Sequence, residues 1–237
     1  LIDDATPRIL SLQTATATGS ATFAGSVAIK DLVTFAGNHS IAFNAGCAFD
    51  DHVDFLNTNG VALGNDVSDD HNFPLGLKAI ASGTNVFQGT VRNDLAVSHD
   101  FELSNLTVGS GNLTIITGIS GTGISGNLTA SSADLTIASS LIDVDGTVTV
   151  GTGRTLTLGD TNFDWNGLSN DGTIQLNGVQ TTHNILNHDA DSGLFRYTGS
   201  SGGTVFQNYS KDGYSYFDLE LAGTSLAVTW NLQGPLA

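Results

Sequence analysis

The feature that most constrains the fold of this chain is a succession of very short apolar pairs at i, i+2 spacing. Val27/Ile29, Val33/Phe35, Ile41/Phe43, Cys47/Phe49, Val53/Phe55 and Val61/Leu63 follow one another, with Gly, Asn, Asp, Ser or His between them. The pattern returns at Leu106/Val108, Leu113/Ile115, Leu128, Leu135/Ile137, Leu141, Val148/Val150, Leu156/Leu158 and Ile174/Leu176. A period of two places both members of a pair on one face of an extended segment. Successive pairs begin about six to eight residues apart, which leaves room for a short strand and a polar corner, not for a helix.

Two all-β architectures use strands of this kind. An antiparallel β-sandwich tandem would join them through hairpins, and Asn-Gly or Asp-Gly turns are present at Asn59-Gly60, Asn166-Gly167, Asn177-Gly178, Asp145-Gly146, Asp171-Gly172 and Asp212-Gly213. A right-handed parallel β-solenoid, or β-helix, would instead stack coils of two or three short strands separated by polar corners. Dense, near-even spacing over about a hundred residues and more favours the solenoid. Coils of roughly twenty residues or a little more would make on the order of ten turns, a rod of about 50 Å at ~4.8 Å per turn.

Composition agrees. Only 13% of the 237 residues are charged, Gly numbers 29 and Pro 3, so the surface must be built from Thr, Ser, Asn and Asp, which suit strand faces and turns better than helix interiors. The expected organisation is an N-terminal cap or donated strand over 1–20, a solenoid over 21–193 with a projecting loop at 66–78 that carries Pro74, and a C-terminal cap or small β module over 194–237. That last segment is rich in aromatics: Phe195, Tyr197, Phe206, Tyr209, Tyr214, Tyr216, Phe217 and Trp230.

Seven Lys and Arg against 23 Asp and Glu give a net charge of −16. Nucleic-acid binding rests on phosphate neutralisation by cationic side chains, so no nucleic-acid partner is expected, and an anionic membrane surface would repel the chain. No run of eighteen apolar residues occurs, so no membrane insertion by a helix is expected. The acidity reads first as solubility and second as a capacity to hold divalent cations. The single cysteine, Cys47, excludes an intramolecular disulfide and falls on the inward phase, where a small buried hydrophobe is expected. The chain contains no Met and begins at Leu1, which reads as a processed or excised portion of a longer product.

Three segments carry a resemblance to known proteins. GTVTVGTGRTLTLGD (residues 146–160), LSNDGTIQLNG (168–178) and YSYFDLELAGTSLAVTWNL (214–232) resemble units of large secreted bacterial β-helical surface proteins. Autotransporter passengers, filamentous-haemagglutinin-type adhesins and giant repeat-rich surface proteins are the familiar members. The resemblance covers about half the chain, from Asn105 onward. It implies an extracellular or cell-surface location and an adhesive or structural role, and it brings no catalytic residues.

The titratable residues are consistent with that implication. Enzymes built on β-helices need clustered carboxylates beside a basic residue. Arg8, Lys30, Lys78, Arg92, Arg154, Arg196 and Lys211 are scattered, with no evident pairing to the acidic clusters Asp50, Asp51, His52, Asp54 and Asp66, Asp69, Asp70, His71, which read as solvated corners. No Gly-x-Ser-x-Gly and no phosphate loop is present, and catalysis is not expected. Asn187, Asp189 and Asp191 alternate as Ca²⁺ oxygen ligands do, and Asp143 and Asp145 form a second fragment of that kind. A plain turn is the favoured reading of both, because Gly193 falls one position late for an EF-hand and no Glu closes the loop. His39, His52, His71, His99, His183 and His188 lack the spacing of a zinc site. Asn38, Asn105, Asn112, Asn127 and Asn208 head Asn-x-Ser/Thr triplets and are glycosylation acceptors only if the source modifies its surface proteins.

The reading that unites these features is a non-catalytic extracellular stalk. Its partners would be a surface glycan or protein, or further copies of itself joined head to tail or laterally into a fibre or surface layer. No cofactor is expected beyond, at most, Ca²⁺. A polysaccharide-cleaving enzyme is the remaining alternative.

Overall fold

The computed structural model describes residues 8–12, 18–93, 100–181, 183–189, 191–200, 203–205, 216–223 and 230–232. Those residues form strands and turns with no helix, and every strand pairing among them is parallel. The strands stack as a β-solenoid of about 9 turns. The step from one turn to the next is 20 residues between Asn127 and Thr147 and 24 between Cys47 and His71. The hairpins of a sandwich are therefore absent among the described strands. Asn59-Gly60 and Asn177-Gly178 are corners, with φ of 91° at Gly60 and 83° at Gly178.

Each turn contributes to three ladders, called here the first, second and third columns. The first runs from Ile9–Ser11 through Asp31–Val33, Val53–Asp54, Leu77–Ala79, Phe101–Leu103 and Gly121–Ile124 to His183–Ile185. The second runs from Gly19–Phe23 through His39–Phe43 and Val61–Leu63 to residues 167–170. The third runs from Val27–Ile29 to Leu194–Tyr197 and Asp218–Leu221. Long strands such as Asn85–Arg92, Leu106–Ile116 and Leu141–Val150 bend through a corner and serve two columns each.

Stacking explains why so short a strand suffices. Its backbone groups are satisfied by the turns on either side, and its inward side chains meet the same positions one turn away. Leu106, Leu128, Val148 and Leu168 form one such inward row, and Leu113, Leu135, Leu156, Ile174 and Phe195 another. The N-terminal part of the core is aromatic: Phe23 stacks on Phe43 at 4.8 Å, and Phe49 on Phe73 at 5.3 Å.

The structure departs from the sequence expectation at several points. In the second turn, Leu32 and Thr34 point inward, not Val33 and Phe35. The Thr34 hydroxyl replaces a ladder partner, donating to Asp54 O at 2.7 Å and accepting from Leu56 N at 2.8 Å, so a polar residue holds an inward position. At the other phase error Ile142 and Val144, not Leu141, enter the core. Segment 66–78 does not project as a loop. Asp70–Asn72 and Leu77–Ala79 are regular members of the third and first columns, with His71, Phe73 and Leu77 at 0% exposure. The column structure also continues past residue 193, because Leu194–Tyr197 and Asp218–Leu221 extend the third ladder.

Candidate functional site

The outward faces differ sharply in chemistry. Along the first column, Asp54, Lys78, Glu102, Gly123, Asp143, Asp164 and Asn184 are successive register partners. Lys78 and Glu102 form an ion pair at 2.7 Å. Beyond Gly123, Asp143 and Asp164 stack without a cation between them. Partial burial, then Asp145 and Asp164, raise the Asp143 carboxyl above its ordinary range. The missing side chain at Gly123 leaves a notch of about 170 Å³, bounded by Ile80, Glu102, Asp143 and Asp145.

The third column carries Thr90, Thr114, Thr136 and Thr157 in one row, framed by charge at both ends. Asp70 takes two hydrogen bonds from the Arg92 guanidinium, at 2.8 and 2.9 Å, and these hold its carboxyl below the usual range. At the other end Arg196 donates to Glu220 at 2.8 Å. With Lys30–Asp51 at 3.7 Å, four of the basic residues are paired with acids about one turn away. That pairing is not legible in the sequence, because the partners stand 20 or more positions apart.

The second column has no charged residue on its outward row. Thr22, Ala42, Ala62, Val86, Thr107, Thr129, Thr149 and Ser169 succeed one another in register. This face was not anticipated from the sequence, although its Thr and Ala are the outward members of the alternating segments that defined the strands.

The five sequence-predicted oxygen ligands do not gather into one site. Asp189 closes a turn, with Oδ2 accepting Asn170 N at 2.6 Å and Oδ1 accepting Asp191 N at 3.2 Å. Burial works against its charge, but these bonds hold its carboxyl low. Asp191 is shifted upward by its hydrogen bond to Asp189 and by that residue's charge. Asn187 turns its amide to Asn166 O at 2.7 Å. Asp143 lies on the outer face of the first column and Asp145 in the corner just beyond it, and both border the notch described above. Among the described residues no three His, Cys, Asp or Glu side chains converge on a common point.

Three of the five glycosylation triplets, those headed by Asn105, Asn112 and Asn127, belong to a structural device. At corner positions, a side-chain oxygen accepts the backbone N–H of the residue one turn on: Asn105 from Asn127 at 2.8 Å, Asn127 from Thr147 at 2.9 Å, Asn112 from Asp134 at 3.1 Å and Asp134 from Thr155 at 2.9 Å. Asn105 also donates to Gly83 O at 2.9 Å. Asn38 is exposed, and Asn208 lies outside the described residues.

Cys47 is buried as expected and meets His71 Nδ1 at 3.2 Å. Burial pushes the thiol pKa up, with a further rise from Asp70, and burial pushes the His71 imidazole down to about 4. The pair is therefore a neutral core contact and not an activated thiol. His183 is also lowered to about 4 by burial, and packs edge-on to Phe163. His39 is buried, His52 is exposed, and His188 stacks on Phe195 at 5.5 Å. His99 lies outside the described residues. Of the aromatic tail, Phe195 and Tyr197 are core residues and Tyr216 joins them, its hydroxyl 3.0 Å from that of Tyr197.

No family model, no curated protein and no solved structure matches this chain.

Proposed function

We propose that this chain is a non-catalytic, rigid β-helical segment of an extracellular or cell-surface protein, serving as a stalk that holds other parts at a distance. The observation that carries the reading is the continuity of the cross-turn ties. Three parallel ladders, a corner series of Asn and Asp acceptors and the cross-turn ion pairs join each turn to the next. Such a stack bends only by breaking several bonds together, which suits a spacer. Glu102, Asp143 and Asp145 border one notch, but at about 170 Å³ it falls below the ~300–1,000 Å³ of ligand pockets, and Glu102 is already engaged by Lys78, so it does not offer the acid–base pair of a glycosidic cleavage a sugar-sized groove. The chain should leave a panel of neutral and acidic polysaccharides intact, read as no new reducing ends and no unsaturated product. Turnover of any one of them would overturn the proposal in favour of an enzyme.

A further inference from the structure

We propose that the outer face of the second column is a docking surface for a second copy of this chain, giving lateral pairing of rods. The proposal rests on the stalk reading above and names the surface through which stalks would associate. Two molecules that each carry a net charge of −16 repel, so any face that brings carboxylates together is disfavoured. The first column presents Asp54, Glu102, Asp143 and Asp164 outward, and the third presents Asp70, Arg92, Arg196 and Glu220. The row from Thr22 to Ser169 presents no charge over eight successive strands. Its nearest charges sit in the flanking corners, with Asp66, Asp69, Asp134, Arg154 and Asp171 on one side and Asp145 on the other.

The side chains of that row also suit a sheet-on-sheet contact. Ala, Ser and Thr are short, so two such faces can approach to about 10 Å and interdigitate their methyl groups, with hydroxyls free to pair across the gap. Val86, 40% exposed, supplies the apolar centre. Eight strands at ~4.8 Å spacing and a usable width of about four residues, or ~13 Å, give roughly 500 Å² per partner, about 1,000 Å² in all. Stable complexes bury about 1,200–2,000 Å², so the pairing is weak and rapidly reversible for single rods and gains strength where many rods stand side by side. Repulsion between the charged corners opposes it, so added salt strengthens it, whereas contacts built on ion pairs weaken in salt.

Sedimentation velocity of the full chain over a range of protein concentrations, from about 0.05 to 1 M NaCl, tests this. The expected result is a monomer–dimer equilibrium that tightens as salt rises. Thr129→Glu and Ala62→Lys each place a charge in the row, and each should weaken association at least tenfold. Thr136→Glu, the same change on the third column, should leave it unaltered. Ala62→Lys separates the surface from net charge, because it lowers the overall repulsion yet should still disrupt pairing. Circular dichroism confirms that each outward-facing variant folds. A monomer under all conditions, equal weakening by Thr136→Glu, strengthening by Ala62→Lys, or a dimer displaced by a neutral polysaccharide would overturn the proposal. None of these outcomes alters the polysaccharide-cleavage test, so the stalk reading stands or falls separately.

Discussion

Replacing Gly60 by Ala probes the stacking of turns directly, provided that it is compared with the same change at Gly153. Both glycines have positive φ, 91° and 71°, so both substitutions force an L-residue into a disfavoured backbone region. That alone costs about 1–2 kcal/mol. The surroundings differ. A Cβ on Gly153 meets nothing within 4 Å, whereas one on Gly60 would lie 2.5 Å from the carbonyl oxygen of Thr84 on the next turn. A backbone carbonyl held in a ladder cannot swing aside as a side-chain tip can, so the two turns must separate. Overpacking of this kind costs a further ~1–3 kcal/mol. Gly60→Ala should therefore destabilise by about 2–5 kcal/mol and Gly153→Ala by about 1–2 kcal/mol. Urea unfolding of the two variants beside the parent measures the difference. Equal losses, or a larger loss at Gly153, would refute the close approach of successive turns at this corner.

Three further outcomes follow from the same geometry. The folded His71 pKa of about 4 lies below the unfolded value near 6.5, so the unfolded chain binds the proton first. The contribution of His71 is fully present above about pH 6.5 and is lost as pH falls toward 4, and His71→Leu should flatten the stability–pH curve in that window, read by thermal melts. Arg92→Ala breaks the two-bond pair with Asp70, but both side chains are substantially exposed, so the loss should be only about 0.2–1 kcal/mol and should shrink at high salt. Asp189→Ala removes the acceptor for Asn170 N and should cost on the order of 1 kcal/mol, by the same amount in calcium as in chelator, again by urea unfolding.

Much of the architecture is legible in the sequence because its controlling signal is local. A pair such as Leu135/Ile137 or Val148/Val150 declares both a strand and its inward face. The phase failed where a polar side chain took an inward position, as Thr34 does by bonding to the neighbouring backbone, and apolar periodicity has no term for such a substitution. Segment 66–78 misled for a related reason. Its acidic residues and Pro74 look like a surface loop, yet His71 and Phe73 hold the inward phase and Asp70 is neutralised by Arg92. The outer-face chemistry was the least readable part. Whether Thr107 stands beside Thr129, or Glu102 beside Lys78, depends on turns of unequal length, and only the register reveals the uncharged second face and the cross-turn ion pairs.

The central claim, a rigid stack in which each turn adds one strand spacing, is tested most directly by pulsed electron paramagnetic resonance along the first column. Spin labels replace Asp54 with Asp143, and Asp54 with Asn184, in a background where Cys47 is changed to Ala and labelled chains are diluted in unlabelled ones. The register places these pairs four and six strand steps apart. At ~4.8 Å per step the account predicts backbone separations of about 19 and 29 Å, each with a narrow distribution. Distances that do not grow in that ratio would contradict the stacked solenoid, and broad distributions would contradict its rigidity.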